Sequence, residues 1–247
     1  MKRYFIKLAY DGTGYHGWQV QKNAHTVQAE LEQKIGLMLK QPVAITGCGR
    51  TDTGVHASEY YAHFEVDNLR FTEKDFVFKL NRFLPNDIAV YDVFKVDADM
   101  HARYSALSRT YKYYINQIKD PFNRQFSYFY NGPLDIERMN IAAALLMQFN
   151  DFTSFSKLHT QTATNLCGIS EATWKYFEQR KLVFTITADR FLRNMVRAIV
   201  GTLLEIGKGK MPPETIADII EAKNRAEAGF SVSAKGLFLT EVKYPFT

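Results

Sequence analysis

Two cysteines in 247 residues, Cys48 and Cys167, are too few for a disulfide framework and lack metal-type spacing. The six histidines (His16, His25, His56, His63, His101 and His159) show none of the usual ligand spacings, so no metal is expected. G-x-x-x-x-G-K and G-x-G-x-x-G, the glycine patterns that cradle nucleotide phosphates, are both missing, and no cofactor is expected. No run of about eighteen apolar residues occurs, which argues against a membrane-spanning helix. The opening MKRYFIKLAYDG carries charge at Lys7 and Asp11 and no cleavage-site pattern, so no signal peptide is expected. These absences point to a reduced, cytoplasmic protein.

What is present is aromatic and, in one half, basic. Hydrophobic residues make up 46% of the chain and aromatics 14%, with 19 Phe and 14 Tyr, enough for a sizeable core. The formal charge is +5, and its distribution is uneven. Residues 1–104 hold 13 Lys+Arg against 13 Asp+Glu, whereas residues 105–247 hold 18 against 13. A basic, aromatic half suits a polyanion such as RNA.

Hydrophobic periodicity divides the chain into two similar runs of elements. Tyr4, Ile6, Leu8 and Tyr10 alternate as one face of a strand. A helix is expected from Thr26, with Val27, Leu31, Ile35 and Met38 on its apolar face. Short and long strands follow, the first at Val43–Gly47 and the second carrying Tyr60, Ala62, Phe64 and Val66. Thr72 and Asp75 match a capping box, opening a helix with Phe76, Leu80 and Phe83 inward. Pro85 stops it, and Ile88–Val96 reads as a strand. This is βαββαβ, the ferredoxin-like unit. From Arg109 the order recurs: a strand to Ile118, a helix from Asp135 to about Gln148, and strands Ile169–Glu178 and Leu182–Ala188 around QRK. An apolar helix Phe191–Ile206, an extra helix after Pro212-Pro213 and a strand Leu237–Tyr244 complete it. The expectation is an α+β protein of two ferredoxin-like (RRM-like) halves, 1–104 and 105–247, sharing a largely antiparallel central sheet.

The densest chemistry lies in CGRTDTGVHA, Cys48 to Ala57, where Arg50, Thr51, Asp52, Thr53 and His56 fall within seven residues. Asp-Thr-Gly is also the tripeptide of aspartic proteases, but a protease needs a second carboxylate to share one proton. Only one such tripeptide is present, and an adjacent Arg favours an ionised carboxylate. An ionised Asp beside a cation fits nucleophilic or electrostatic catalysis instead. Candidate cations are Arg190, Arg193 and Arg197 in DRFLRNMVRAIVG, at helical spacing. Arg197 lies deepest in the apolar run, where a charge needs a partner. RTYKYYIN supplies Tyr111, Tyr113 and Tyr114, any of which can stack on a base or pack in the core.

Six segments in order give the chain a family likeness: YDGTGYHGWQ, GRTDTGVHA, HARYSALSRTYKYYI, DFTSF, FLRNMVRAIVG and GLFLTEVKY. Together they resemble the tRNA pseudouridine synthase A family over nearly the whole length. The resemblance implies the pseudouridine synthase fold, with an active site in a basic cleft and a homodimer that holds tRNA. It implies an isomerase that turns uridine into pseudouridine in the anticodon stem-loop without a cofactor. By position, Asp52 matches the catalytic aspartate, Arg50 the arginine that helps extrude the base, Tyr111 the active-site tyrosine and Arg197 the partner of the aspartate. Thr51, His56, Arg103 and Leu237 join Arg50 and Tyr111 as expected substrate-binding positions. Two departures stand out: Thr53 where the family usually has Ala, and SVSAKGLFL where the closing motif usually follows Ala-Pro-type residues. The rivals are a non-catalytic tRNA-binding or chaperone paralogue and, more remotely, a dimeric aspartic protease.

Overall fold

The computed structural model describes residues 1–157 and 164–246, which leaves His159 outside. The chain forms two compact units, Met1–Leu107 with Leu239–Thr247, and Ser108–Phe238. Both mix helices with mostly antiparallel strands, the α+β class expected.

The first unit holds β1 (Lys2–Tyr10), α1 (Val27–Leu39), β2 (Ile45–Gly47), β3 (His56–Val66), α2 (Glu73–Asn81) and β4 (Ile88–Val96). Its strands run β4-β1-β3, all antiparallel, with short β2 beside β3. Both helix starts follow from side-chain caps, because the first N–H groups of a helix lack internal partners. Thr26 accepts from the Ala29 N–H and Thr72 from the Asp75 N–H, at 3.3 and 3.2 Å. The inward face of α1 is Val27, Leu31, Ile35 and Leu39. Met38, expected inside, is half-buried, since Leu39 continues the i+4 row. Phe83, also expected inside, lies beyond the end of α2 and is exposed beneath the Lys34 ammonium. Alternation along β1 understates its burial. Phe5 faces away from Ile6 and Leu8 but is covered by the rings of Tyr244 and Phe246, centroids 5.4 and 5.7 Å away.

The second unit holds β5 (Ser108–Asn116), β6 (Tyr128–Phe129), α3 (Ile136–Leu145), β7 (Ile169–Glu178), β8 (Lys181–Ala188), α4 (Met195–Gly207) and α5 (Thr215–Glu221). The strand order is β5-β8-β7, antiparallel, with β6 parallel to the end of β5. Asp135 caps α3 through the Arg138 N–H, and a 3₁₀ turn, Leu146–Gln148, extends the helix. Between β7 and β8 the chain turns at Gln179-Arg180, with Arg180 at φ 60°. The last strand, β9 (Leu237–Lys243), begins in this unit and ends in the first, where it lies beside β3.

One sequence expectation fails in a way that matters for the site. The helix does not begin at Phe191; it begins at Met195, because Asn194 sits in the left-handed region at φ 67°. Asn tolerates that conformation, and its side-chain nitrogen donates to the Ser231 hydroxyl at 2.6 Å. Arg190 and Arg193 therefore precede the helix and share no helical face with Arg197. Among the described residues, no helix is long and apolar enough to cross a membrane.

Candidate active site

Asp52 sits in the loop between β2 and β3, half-buried, between buried Thr51 and exposed Thr53. The swap of the usual Ala for Thr53 thus falls on a side chain that packs against little. Arg50 is exposed on the same loop. Three contacts hold the loop from inside. The Asp52 carbonyl accepts the Val55 N–H at 3.1 Å, closing a turn that places Gly54 at φ 75°. The Thr51 hydroxyl meets the Tyr10 hydroxyl at 2.8 Å, and its carbonyl accepts the Trp18 N–H at 3.2 Å.

The segment YDGTGYHGWQ proves to be the bed on which this loop lies. Gly17, at φ 92°, passes so close to the Thr51 carbonyl that a Cβ there would overlap it. Gly12 makes the same close approach to the Val55 carbonyl. Gly54 returns the contact by donating to the Tyr15 carbonyl at 3.3 Å. The Trp18 ring stacks on Tyr60, with centroids 4.1 Å apart, and Tyr60 donates its hydroxyl to the Gly49 carbonyl. Two motifs that the sequence presents separately therefore form one packed body. Gly12, Gly17 and Trp18 had no assigned role in the sequence, and Tyr10 only that of a strand face; their signal was membership of the YDGTGYHGWQ segment.

His56 is buried at the start of β3. Its Nδ1 lies 3.0 Å from the Asp11 carboxylate and 3.1 Å from the Gly12 N–H, inside this body. Arg103 is exposed on the turn after β4, with its guanidinium 5.6 Å from the Tyr104 ring centroid. Leu237 is buried at the first position of β9.

In the second unit the three tyrosines of β5 separate cleanly. Tyr113 is buried and donates its hydroxyl to the Ser233 carbonyl at 2.9 Å; burial pushes its pKa up, opposed by the nearby Arg197 charge. Tyr114 is half-buried and edge-on to Phe177 and Phe238. Tyr111 is half-buried and meets the Phe191 ring edge-on, centroids 5.1 Å apart at 87°. Phe191, like Asn194, was missed by sequence reasoning because both were read as helix. Arg197 is half-buried in the first turn of α4, and its Nε donates to the Val232 carbonyl at 2.7 Å. The Val232 N–H returns to the Arg197 carbonyl at 3.2 Å. Arg197 and Tyr113 thus grip adjacent carbonyls of the SVSAKG segment. A guanidinium tied through Nε has its remaining nitrogens oriented, which suits it to holding a carboxylate or phosphate.

Among the described residues, no group of three or more His, Cys, Asp or Glu side chains is placed to hold a metal ion. Burial pushes the Cys167 thiol up to about 11, so it is an inert core thiol at neutral pH.

Comparison with known proteins places the chain in a family. A family profile described as tRNA pseudouridine synthase matches residues 7–105 and 142–245. The chain is 54% identical over 249 residues to tRNA pseudouridine synthase A of Bacteroides thetaiotaomicron, covering 99% of this chain and 91% of that one. It is 52% identical over 245 residues to the protein of that name from Bacteroides fragilis, covering 99% and 97%. With the one from Clostridium acetobutylicum it shares 40% over 246 residues, covering 99% and 100%. On full-length identity of this order, the chain belongs to the tRNA pseudouridine synthase family.

Proposed function

We propose that this protein isomerises uridine to pseudouridine in the anticodon stem-loop of tRNA, with Asp52 as its catalytic carboxylate. What carries the reading is a half-buried carboxylate on a loop immobilised from beneath, in a chain of this family. A fixed loop suits catalysis, because the reacting groups must be held in register with a large substrate.

The target uridine first leaves its stack, at a cost of a few kcal/mol. Exposed Arg50 fills the vacated space and meets the flanking phosphates. Arg197, with its Nε tied to the Val232 carbonyl, supplies a fixed cation to the chemistry. Asp52 acts at the sugar, as nucleophile at C1′ or as base, and the C1′–N1 bond breaks. The freed uracil rotates in place and C5 bonds to C1′, which releases the Asp52 carboxylate from C1′ if it had bonded there, or returns to the sugar the proton that Asp52 had taken. The C5 proton leaves to an acceptor while N1 gains one, so the product is an isomer and nothing is oxidised or reduced. Tyr111 serves as the platform for the base and as a candidate acceptor for the C5 proton. His56 and Thr51 position the loop from inside. The enzyme works as a homodimer in the cytoplasm, without a cofactor.

Asp52→Ala tests the reading directly. Pseudouridine formation in a tRNA transcript should fall below detection while tRNA affinity stays within a few-fold of wild type. Persisting turnover in that variant would remove Asp52 from the mechanism. A wild type that binds tRNA and makes no product would favour a non-catalytic binding protein.

A further inference from the structure

The turn between β4 and β5 holds an aromatic ring out in solvent with unusual care. Tyr104 is 76% exposed. An exposed aromatic by itself means little, but here all six backbone N–H groups from Met100 to Ser105 are bonded. Met100 donates to the Asp97 carbonyl, and His101 and Ser105 bond each other through hydroxyl and carbonyl. Ala102 donates to the His63 Nδ1 at 3.1 Å, and its carbonyl accepts the Tyr244 hydroxyl at 2.6 Å. Arg103 and Tyr104 both donate to the His101 Nδ1, at 3.0 and 3.2 Å. Arg3 holds the Met100 carbonyl at 2.7 Å. The Tyr104 ring rests against His101, centroids 4.4 Å apart, with the Arg103 guanidinium over it, 5.6 Å from its centroid.

We infer that Tyr104 is a stacking platform for an unpaired base of the RNA substrate, with Arg103 on the adjoining phosphate. The inference rests on the proposed action on tRNA and adds a contact distinct from the one at Asp52. His63, which seats the turn, lies seven residues along β3 from His56, at the Asp52 end of that strand. At about 3.4 Å per residue the separation is roughly 24 Å, well beyond a side chain's reach. Tyr104 therefore contributes to gripping the RNA and not to the chemistry. Base–aromatic stacking tolerates any base and adds affinity only if the ring is held, and the fully bonded turn holds it. An Arg lying over an exposed ring suits a nucleotide, whose phosphate can draw the guanidinium to the ring's edge while its base stacks.

Titration with unmodified tRNA transcript and steady-state turnover together test this. Tyr104→Ala should raise Kd and KM about tenfold or more, with kcat at saturating tRNA within about twofold. Tyr104→Phe should behave as wild type and Tyr104→Leu fall between. Tyr104→Trp should lose fluorescence on binding tRNA, against the background of the buried Trp18 and Trp174. Wild-type Kd in Tyr104→Ala, or a loss confined to kcat, overturns the platform. So does a Tyr104→Ala variant whose defect is loss of a dimer by sedimentation. Should the wild type bind tRNA without making pseudouridine, the functional reading fails, yet the Kd comparison still decides the role of Tyr104.

Discussion

Residues 48–57 and residues 189–197 carry the two halves of the proposed chemistry and are held in opposite ways. The first is pinned mainly by close backbone packing, to which the Tyr10–Thr51 and Tyr60–Gly49 bonds are added. Gly12 and Gly17 bring main chain directly under the Val55 and Thr51 carbonyls, and no side chain fits between. The second is pinned by side chains that reach to carbonyls and hydroxyls: Asn194 to Ser231, Arg197 to Val232, and Tyr113 to Ser233 next door. The difference sets what each can tolerate. A backbone bed fails abruptly when one methyl group is added, whereas polar tethers fail singly and by small steps.

The largest effect is expected at Gly17. Gly17→Ala adds a Cβ at φ 92° that overlaps the Thr51 carbonyl. Strain of this kind costs about 2–3 kcal/mol, and the loop must shift to relieve it. Turnover should drop by at least about 100-fold, since small displacements of a catalytic group are costly, while thermal unfolding shows the variant still folded. Near-normal kcat in Gly17→Ala would mean that the close approach does not position Asp52. The contrast with Gly14, where a Cβ meets nothing, supplies the control: Gly14→Ala should be close to neutral.

In the second region the tethers can be separated from the charge. Tyr113→Phe removes one bond to Ser233 and leaves Arg197 intact, for about 1 kcal/mol of stability and little change in kcat. Arg197→Lys keeps a cation but loses the Nε–H that fixes its orientation on Val232. It should cost about 1.5–3 kcal/mol and reduce kcat about tenfold or more, because lysine offers a point charge without a fork. Equal activity losses in the two variants would show that the 231–233 segment matters more than the charge.

The same contrast explains what the sequence alone reveals. Helix caps at Thr26, Thr72 and Asp135 were legible because each is a local bond spanning three residues. Alternating apolar residues marked β1 and one face of β3, and the polar QRK turn marked the β7–β8 hairpin, although β1 and β3 bury residues of both faces. Asp52 stood out because loop chemistry concentrates there. The start of α4 was not legible, since the left-handed Asn194 depends on Ser231, thirty-seven residues onward. The bed under Asp52 was equally hidden. Gly12 and Gly17 look like ordinary turn glycines until the loop forty residues later is laid against them. Two-residue β6 lacks the length for a period. Burial of Phe5 on the second face of β1 depends on Tyr244 and Phe246, at the far end of the chain.

The smallest effect tests whether the Tyr104 turn belongs with the rigid or the tolerant region, and acid is its probe. Burial, with His101 and Arg3 nearby, pushes His63 down to about 4, and burial likewise lowers His101. Both rings are then neutral at pH 7, which leaves each Nδ1 able to accept the backbone N–H groups of the turn. An unfolded histidine titrates near 6.5, so between about pH 6.5 and 4 the unfolded chain takes up a proton that folded His63 refuses. Stability must fall as pH falls through that window, by at most about 1.4 kcal/mol per pH unit for one histidine. Glu65, held low by Arg3, acts the same way but below the usual carboxylate range, in a lower window. His63→Gln keeps an acceptor for the Ala102 N–H and removes the titration. Its melting temperature should therefore depend less on pH than the wild type's between pH 6.5 and 4. An unchanged slope would assign the acid sensitivity to other groups and leave the turn held by its remaining bonds.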